Sequence, residues 1–145
     1  MSARRLELLD VAMSQYGIME VRGIEDNKEI TKYFDALGFD GSQLKDETAW
    51  CAAFANYCLK TACLPYSGKL NARSFLTVGL PTKHPIPGDL VVLWREDRQS
   101  WKGHVGFYVN HDERFVYLLG GNQSNMVNIA AYPINRLLEY RSVVI

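Results

Sequence analysis

The chain has 145 residues, nearly half of them apolar, enough to bury the core of one compact domain over residues 1–145. Its 16 basic and 16 acidic residues leave no formal net charge and no long basic run, which argues against nucleic acid as a partner. The first apolar stretch, Leu6 to Met13, is interrupted by Glu7 and Asp10 and is too short for a secretory leader or a membrane span. The expectation is a protein made in the cytoplasm without a signal peptide and without membrane insertion.

Leu6, Leu9, Ala12, Met13 and Tyr16 recur at three- and four-residue intervals before Gly17, which predicts an amphipathic helix and its stop. In a second helix, Asp26 with Glu29 offers a capping box, Ile30, Tyr33, Phe34 and Leu37 form the apolar face, and Gly38 suits the left-handed end. A third helix is expected from about Asp46 to Thr48 through to Ala62, with Trp50, Ala53, Phe54, Tyr57 and Cys58 on its buried side. A short fourth spans Ala72 to Val78 and is closed by Gly79. Beyond Gly88 the pattern changes to short β-branched and aromatic runs between polar turns. Strands are predicted at Asp89–Trp94, His104–Asn110, Phe115–Leu119, Met126–Tyr132 and Tyr140–Val144, the second and third joined as an antiparallel hairpin. Helices followed by strands indicate an α+β fold with about five strands.

Cys51, Cys58 and Cys63 make an odd number, which argues against a disulfide framework, and neither Cys-x-x-Cys nor His-x-x-x-His spacing supports a metal site. Cys51 differs from the other two in lying near the start of the third helix, where unpaired amides and the helix dipole favour a thiolate. Cys58 and Cys63 read as core residues. A cysteine nucleophile needs an imidazole beside it. His84 and His111 fall in turns, whereas His104 opens a strand that can aim its ring at a helix start. Asn122, after the glycines Gly120 and Gly121, is the leading candidate to orient that ring; Gln123 either orients it or donates to an oxyanion.

Asp46-Glu47-Thr48-Ala49-Trp50-Cys51-Ala52-Ala53-Phe54, Pro87-Gly88-Asp89, Gly103-His104-Val105-Gly106 and Gly120-Gly121-Asn122-Gln123 together resemble the CHAP and NlpC peptidoglycan amidases and endopeptidases. A stretch like Ala72-Arg73-Ser74-Phe75-Leu76 also marks a small bacterial and phage subgroup of these enzymes. The resemblance implies a papain-like core with N-terminal helices on an antiparallel sheet, a cysteine nucleophile at a helix start, a strand histidine, and no cofactor. Many CHAP enzymes carry a glutamate at the position aligned with Gly120, so the third polar group departs from that pattern.

Around the expected site, Asp46 and Glu47 either cap the helix or bind a free amine of the substrate. Arg73 either binds a substrate carboxylate or is a surface charge. Trp50 and Trp101 are candidate substrate-binding aromatics, Trp101 as a wall in the polar loop before His104. The expected partner is bacterial peptidoglycan, attacked by a monomer delivered to the periplasm or wall by a phage holin, a phage tail or a secretion machine. A secreted antibacterial effector would have an immunity protein that plugs the cleft. A catalytically silent wall-binding module is the rival of another class.

Overall fold

The computed structural model describes residues 2–19, 28–39 and 50–143. The expected capping residue Asp26, the acidic pair Asp46 and Glu47, and the end of the last strand at Val144 lie outside the described residues.

Three α-helices precede the sheet: α1 (Ala3–Ser14), α2 (Lys28–Asp35) and α3 (Cys51–Thr61), followed by a 3-10 helix at Ala72–Thr77. The strands are β1 (Leu80–Thr82), β2 (Leu90–Trp94), β3 (Gly103–His111), β4 (Phe115–Gln123), β5 (Met126–Pro133) and β6 (Leu137–Ser142). They form a six-stranded antiparallel sheet in the order β1-β6-β2-β3-β4-β5, so the α+β expectation holds with one strand more than expected. The added strand, β1, is three residues long and includes Pro81, which an edge strand tolerates because its missing N–H faces no partner. So short a run has no readable periodicity. Gly79 (φ +67°) brings it against β6, since a Cβ there would collide with the Ser142 carbonyl.

The sheet is buried on both faces. Leu90, Val92, Val105, Phe107 and Leu119 join the helices in the main core, and α3 packs on β3 and β4. Val91, Leu93, Tyr108, Val116, Leu118 and Tyr140 form a second cluster, flanked by Tyr132, Ile134 and Leu137. Alternation along each strand divides the two sets.

Helix α1 corrects an expectation. Its buried residues are Arg5, Leu8 and Ala12, while Leu6, Met13 and Tyr16 are about half exposed. An arginine inside is what shifted the face: the Arg5 Nη1 donates to Asp89 Oδ1 at 2.7 Å and to the Pro87 carbonyl at 3.0 Å. Asp89 Oδ2 accepts from the Ile86 amide at 2.9 Å. The Pro87-Gly88-Asp89 run is therefore a clamp between α1 and the start of β2, and its charges are compensated where they are buried.

Candidate active site

Helix α3 opens at Cys51, and Trp50 at its cap position makes no side-chain capping bond. The first-turn amides of a helix have no partners within it. Here the Ala52 amide, together with the Val105 amide from β3, hydrogen-bonds the Cys51 sulfur. The residue is 1% exposed. Burial pushes the thiol up, but the charge of His104, its hydrogen bond and the two amides outweigh this and bring Cys51 below its ordinary value.

His104 lies at the start of β3 and is buried. Its Nε2 sits 3.0 Å from Gln123 Oε1. The Gln123 amide nitrogen donates to the Leu118 carbonyl (3.2 Å), the Asn128 carbonyl (2.8 Å) and Asn128 Oδ1 (3.0 Å), while Asn128 Nδ2 donates back to the Gln123 carbonyl (3.1 Å). Three acceptors around the nitrogen fix which way the amide faces. Its oxygen must meet the imidazole, so Nε2 carries the hydrogen, and Nδ1 is left with its lone pair for Cys51. Burial pushes His104 down, but the Cys51 charge, the bond to Cys51 and the bond to Gln123 raise it above its ordinary value, against the opposing charge of Arg95. The two shifts favour a thiolate–imidazolium pair.

The sequence assigns the orienting role to Asn122; in the structure Gln123 makes the bond. Between the pairs Gly120↔Asn128 and Gln123↔Met126, the two residues Gly121 and Asn122 face the single Val127. That bulge, with Asn122 at φ +57°, moves the side-chain phase of β4 by one residue. Plain alternation from Gly120 would turn Asn122 toward the histidine; the bulge turns Gln123 there and leaves Asn122 lining the cleft beside His104. The glycines make room. A Cβ on Gly120 would stand 2.7 Å from Gln123 Oε1, and one on Gly121 would stand 2.8 Å from both Phe54 Cβ and the Trp50 ring. The space that a side chain on Gly120 would need is thus filled here by Gln123.

Other expected site residues are placed differently. Gln123 is 2% exposed and its amide is fully engaged, so it does not face substrate. Trp50 is 1% exposed and stacks on Tyr33, with centroids 6.2 Å apart, which makes it core. Arg73 donates to the carbonyls of Lys102 (2.8 Å), Arg98 (2.8 Å) and Asp97 (3.0 Å), so it holds the loop before His104. Trp101 projects from that loop, 73% exposed. Cys58 is buried as expected, whereas Cys63, just past the helix end at φ +58°, is exposed. His84 and His111 are exposed.

Four residues escaped the sequence reading. Asn128 locks Gln123. Tyr132, on β5, lays its ring against the imidazole (centroids 4.9 Å, 33° between planes), and its hydroxyl lies 3.2 Å from Nε2. Arg95 and Arg136, with Leu93, Trp94, His104, Asn122 and Tyr132, line a cleft of about 320 Å³. No local motif announces any of them. A larger groove of about 540 Å³ along Pro81 to Lys83 and Leu137 to Tyr140 contains neither Cys51 nor His104. Among the described residues no three His, Cys, Asp or Glu side chains converge as for a metal, and no helix is long and apolar enough to cross a membrane.

No family model and no curated protein matches this chain. Solved structures do. An NlpC/P60 family protein from Bacillus cereus superposes with a TM-score of 0.59 at 13% identity, over 97% of this chain and 40% of that one. A Staphylococcus aureus protein described as similar to lipoprotein, of the NLP/P60 family, gives 0.54 at 15% identity, over 99% and 42%. This chain therefore spans about two fifths of the length of those proteins. With a cysteine at a helix start packed on an antiparallel sheet, the chain has the papain-like α+β fold of the NlpC/P60 proteins.

Proposed function

We propose that this protein is a cysteine hydrolase that cleaves an amide bond of bacterial peptidoglycan, with Cys51 as nucleophile, His104 as base and Gln123 as the residue that orients the base. The observation that carries this reading is a single chain of contacts: Cys51 hydrogen-bonds His104, and the far nitrogen of the ring is held by a Gln123 amide that Asn128 locks. That is the nucleophile, base and orienting group of acyl transfer in serial contact. The choice of wall as substrate is supported by the motif resemblance and by the NlpC/P60 fold.

In the proposed reaction His104 Nδ1 takes the thiol proton, and sulfur bonds to the amide carbon. First-turn amides of α3 stabilise the oxyanion. The carbon–nitrogen bond then breaks as the imidazolium gives its proton to the departing amine. Water, deprotonated by the same histidine, attacks the thioester; the carbon–sulfur bond breaks and the free thiol returns. The bond cut is either within the stem peptide or between N-acetylmuramic acid and L-alanine. Among delivery routes, that of a phage lysin is preferred, with a secreted antibacterial effector as the alternative.

Mass spectrometry of muropeptides after digestion of purified wall tests this directly. The wild type should release new peptide termini and Cys51→Ala none. A folded Cys51→Ala protein that digests at the wild-type rate would overturn the proposal, and loss of the wild-type activity in a chelator with recovery in zinc would reassign the chemistry.

A further inference from the structure

Among the described residues, two guanidiniums line the cleft beside His104 and no carboxylate pairs with either. Arg95, at the end of β2, and Arg136, in the turn between β5 and β6, both line it. Among the described residues neither guanidinium has a carboxylate partner, although nearby cations are engaged: Lys102 pairs with Glu96 at 2.7 Å and Arg73 with three carbonyls. Arg136 is nevertheless held in place. Its guanidinium lies 5.6 Å over the Trp94 ring, and the Trp94 indole donates to the Asn135 carbonyl at 3.1 Å, which ties the turn to β2.

Tyr132 adds an oriented donor. Because the Gln123 oxygen fixes the hydrogen on His104 Nε2, the Tyr132 oxygen accepts at that nitrogen, and its own O–H is left to point elsewhere in the cleft it lines. The charges of both arginines reach Tyr132, and that of Arg95 reaches His104. Arg95 opposes the positive charge of the imidazolium, and an anion bound beside it would offset that opposition.

The position of the cleft says which part of the substrate brings that anion. Cys51 is almost fully buried and does not line the cleft; His104 does. The acyl carbon stays on the sulfur, while the departing amine receives its proton from the imidazole, so the cleft on the histidine side takes the amine portion. We infer that Arg95, Arg136 and the Tyr132 hydroxyl form a carboxylate subsite, and that the substrate is an amide whose amine portion bears a free carboxylate near the scissile bond. Guanidinium forks suit a carboxylate in bidentate contact. This deepens the reading of Cys51 and His104 as the reacting pair and rests on it.

The decisive measurement is alkylation of Cys51 by iodoacetate against iodoacetamide, in which sulfur displaces iodide and the two reagents differ by a carboxylate. The wild type should favour iodoacetate over iodoacetamide by about tenfold more than the Arg95→Gln/Arg136→Gln double variant does, the factor expected for one charge-assisted contact. Each single variant should fall between them. The same preference should appear in hydrolysis of muropeptides whose amine-side carboxylates are free rather than converted to carboxamides. An alkylation ratio equal in the wild type and the double variant overturns the subsite. Alkylation preference without release of any muropeptide keeps the subsite and overturns the wall hydrolase reading. Hydrolysis of both muropeptides at one rate, with no alkylation preference, does the reverse. Absence of both reactions overturns both.

Discussion

The two halves of the proposed reacting pair are held by different physics. Cys51 is fixed by its backbone: a helix start, two amides on the sulfur, and almost complete burial. His104 is fixed by side chains from two other strands, through Gln123, Asn128 and Tyr132. A ring with two nitrogens must be told which one carries the hydrogen, and only directional partners can do that. A sulfur needs only a place where its anion is stable. The histidine half should therefore answer to single-atom changes in polarity, and the cysteine half to changes in volume.

The largest effects come from removing either member. Cys51→Ala should abolish muropeptide release, and His104→Ala should lower kcat by about 10³-fold or more, with circular dichroism confirming the fold. Cys58→Ala should keep activity, because burial pushes the Cys58 thiol well above its ordinary value and leaves it unreactive at neutral pH.

Gln123→Ala removes the bond that sets the tautomer and should cost on the order of 10²-fold in kcat with little change in KM. It also removes a contact that raises His104, so the alkaline limb of the activity profile, set by loss of the imidazolium, should move to lower pH. The acid limb, set by a Cys51 thiol already below its ordinary value, should stay where it is. An unchanged alkaline limb would mean that Gln123 does not bear on the ring.

The volume side is tested at Gly121. Gly121→Ala would place a methyl 2.8 Å from Phe54 and Trp50 and push β4 away from α3, at a cost of about 1–3 kcal/mol in a denaturation experiment. Its activity loss should come with that destabilisation, whereas Gln123→Ala should lose activity with a smaller loss of stability. The smallest effect is expected at Asn122: with its neighbour carrying the bond, Asn122→Ala should stay within a few-fold of wild type, in steady-state kinetics on the same substrate. A loss at Asn122 as large as that at Gln123 would collapse the distinction drawn from the bulge.

Features set by local chemistry could be read from the order of residues alone. The α2 face of Ile30, Tyr33 and Phe34 and the hairpin between β3 and β4 were legible, because period and turn composition act over a few residues. So was the placement of Cys51 at a helix start and of His104 at a strand start, since both are local facts, and the fold brings the two together. Tertiary structure alone decided the rest. The α1 face turned on Arg5 finding Asp89, a residue 84 positions away. Strand β1 exists only through its pairing with β6. Gln123 replaced Asn122 because a β-bulge is set by how β4 meets β5, and one extra residue reverses every side chain beyond it. Tyr132, Arg95 and Arg136 come from β5, the end of β2 and the turn before β6, and only the folded sheet gathers them around one imidazole. Periodicity reports which way a side chain faces within its own element; it holds no information on which distant element that face will meet.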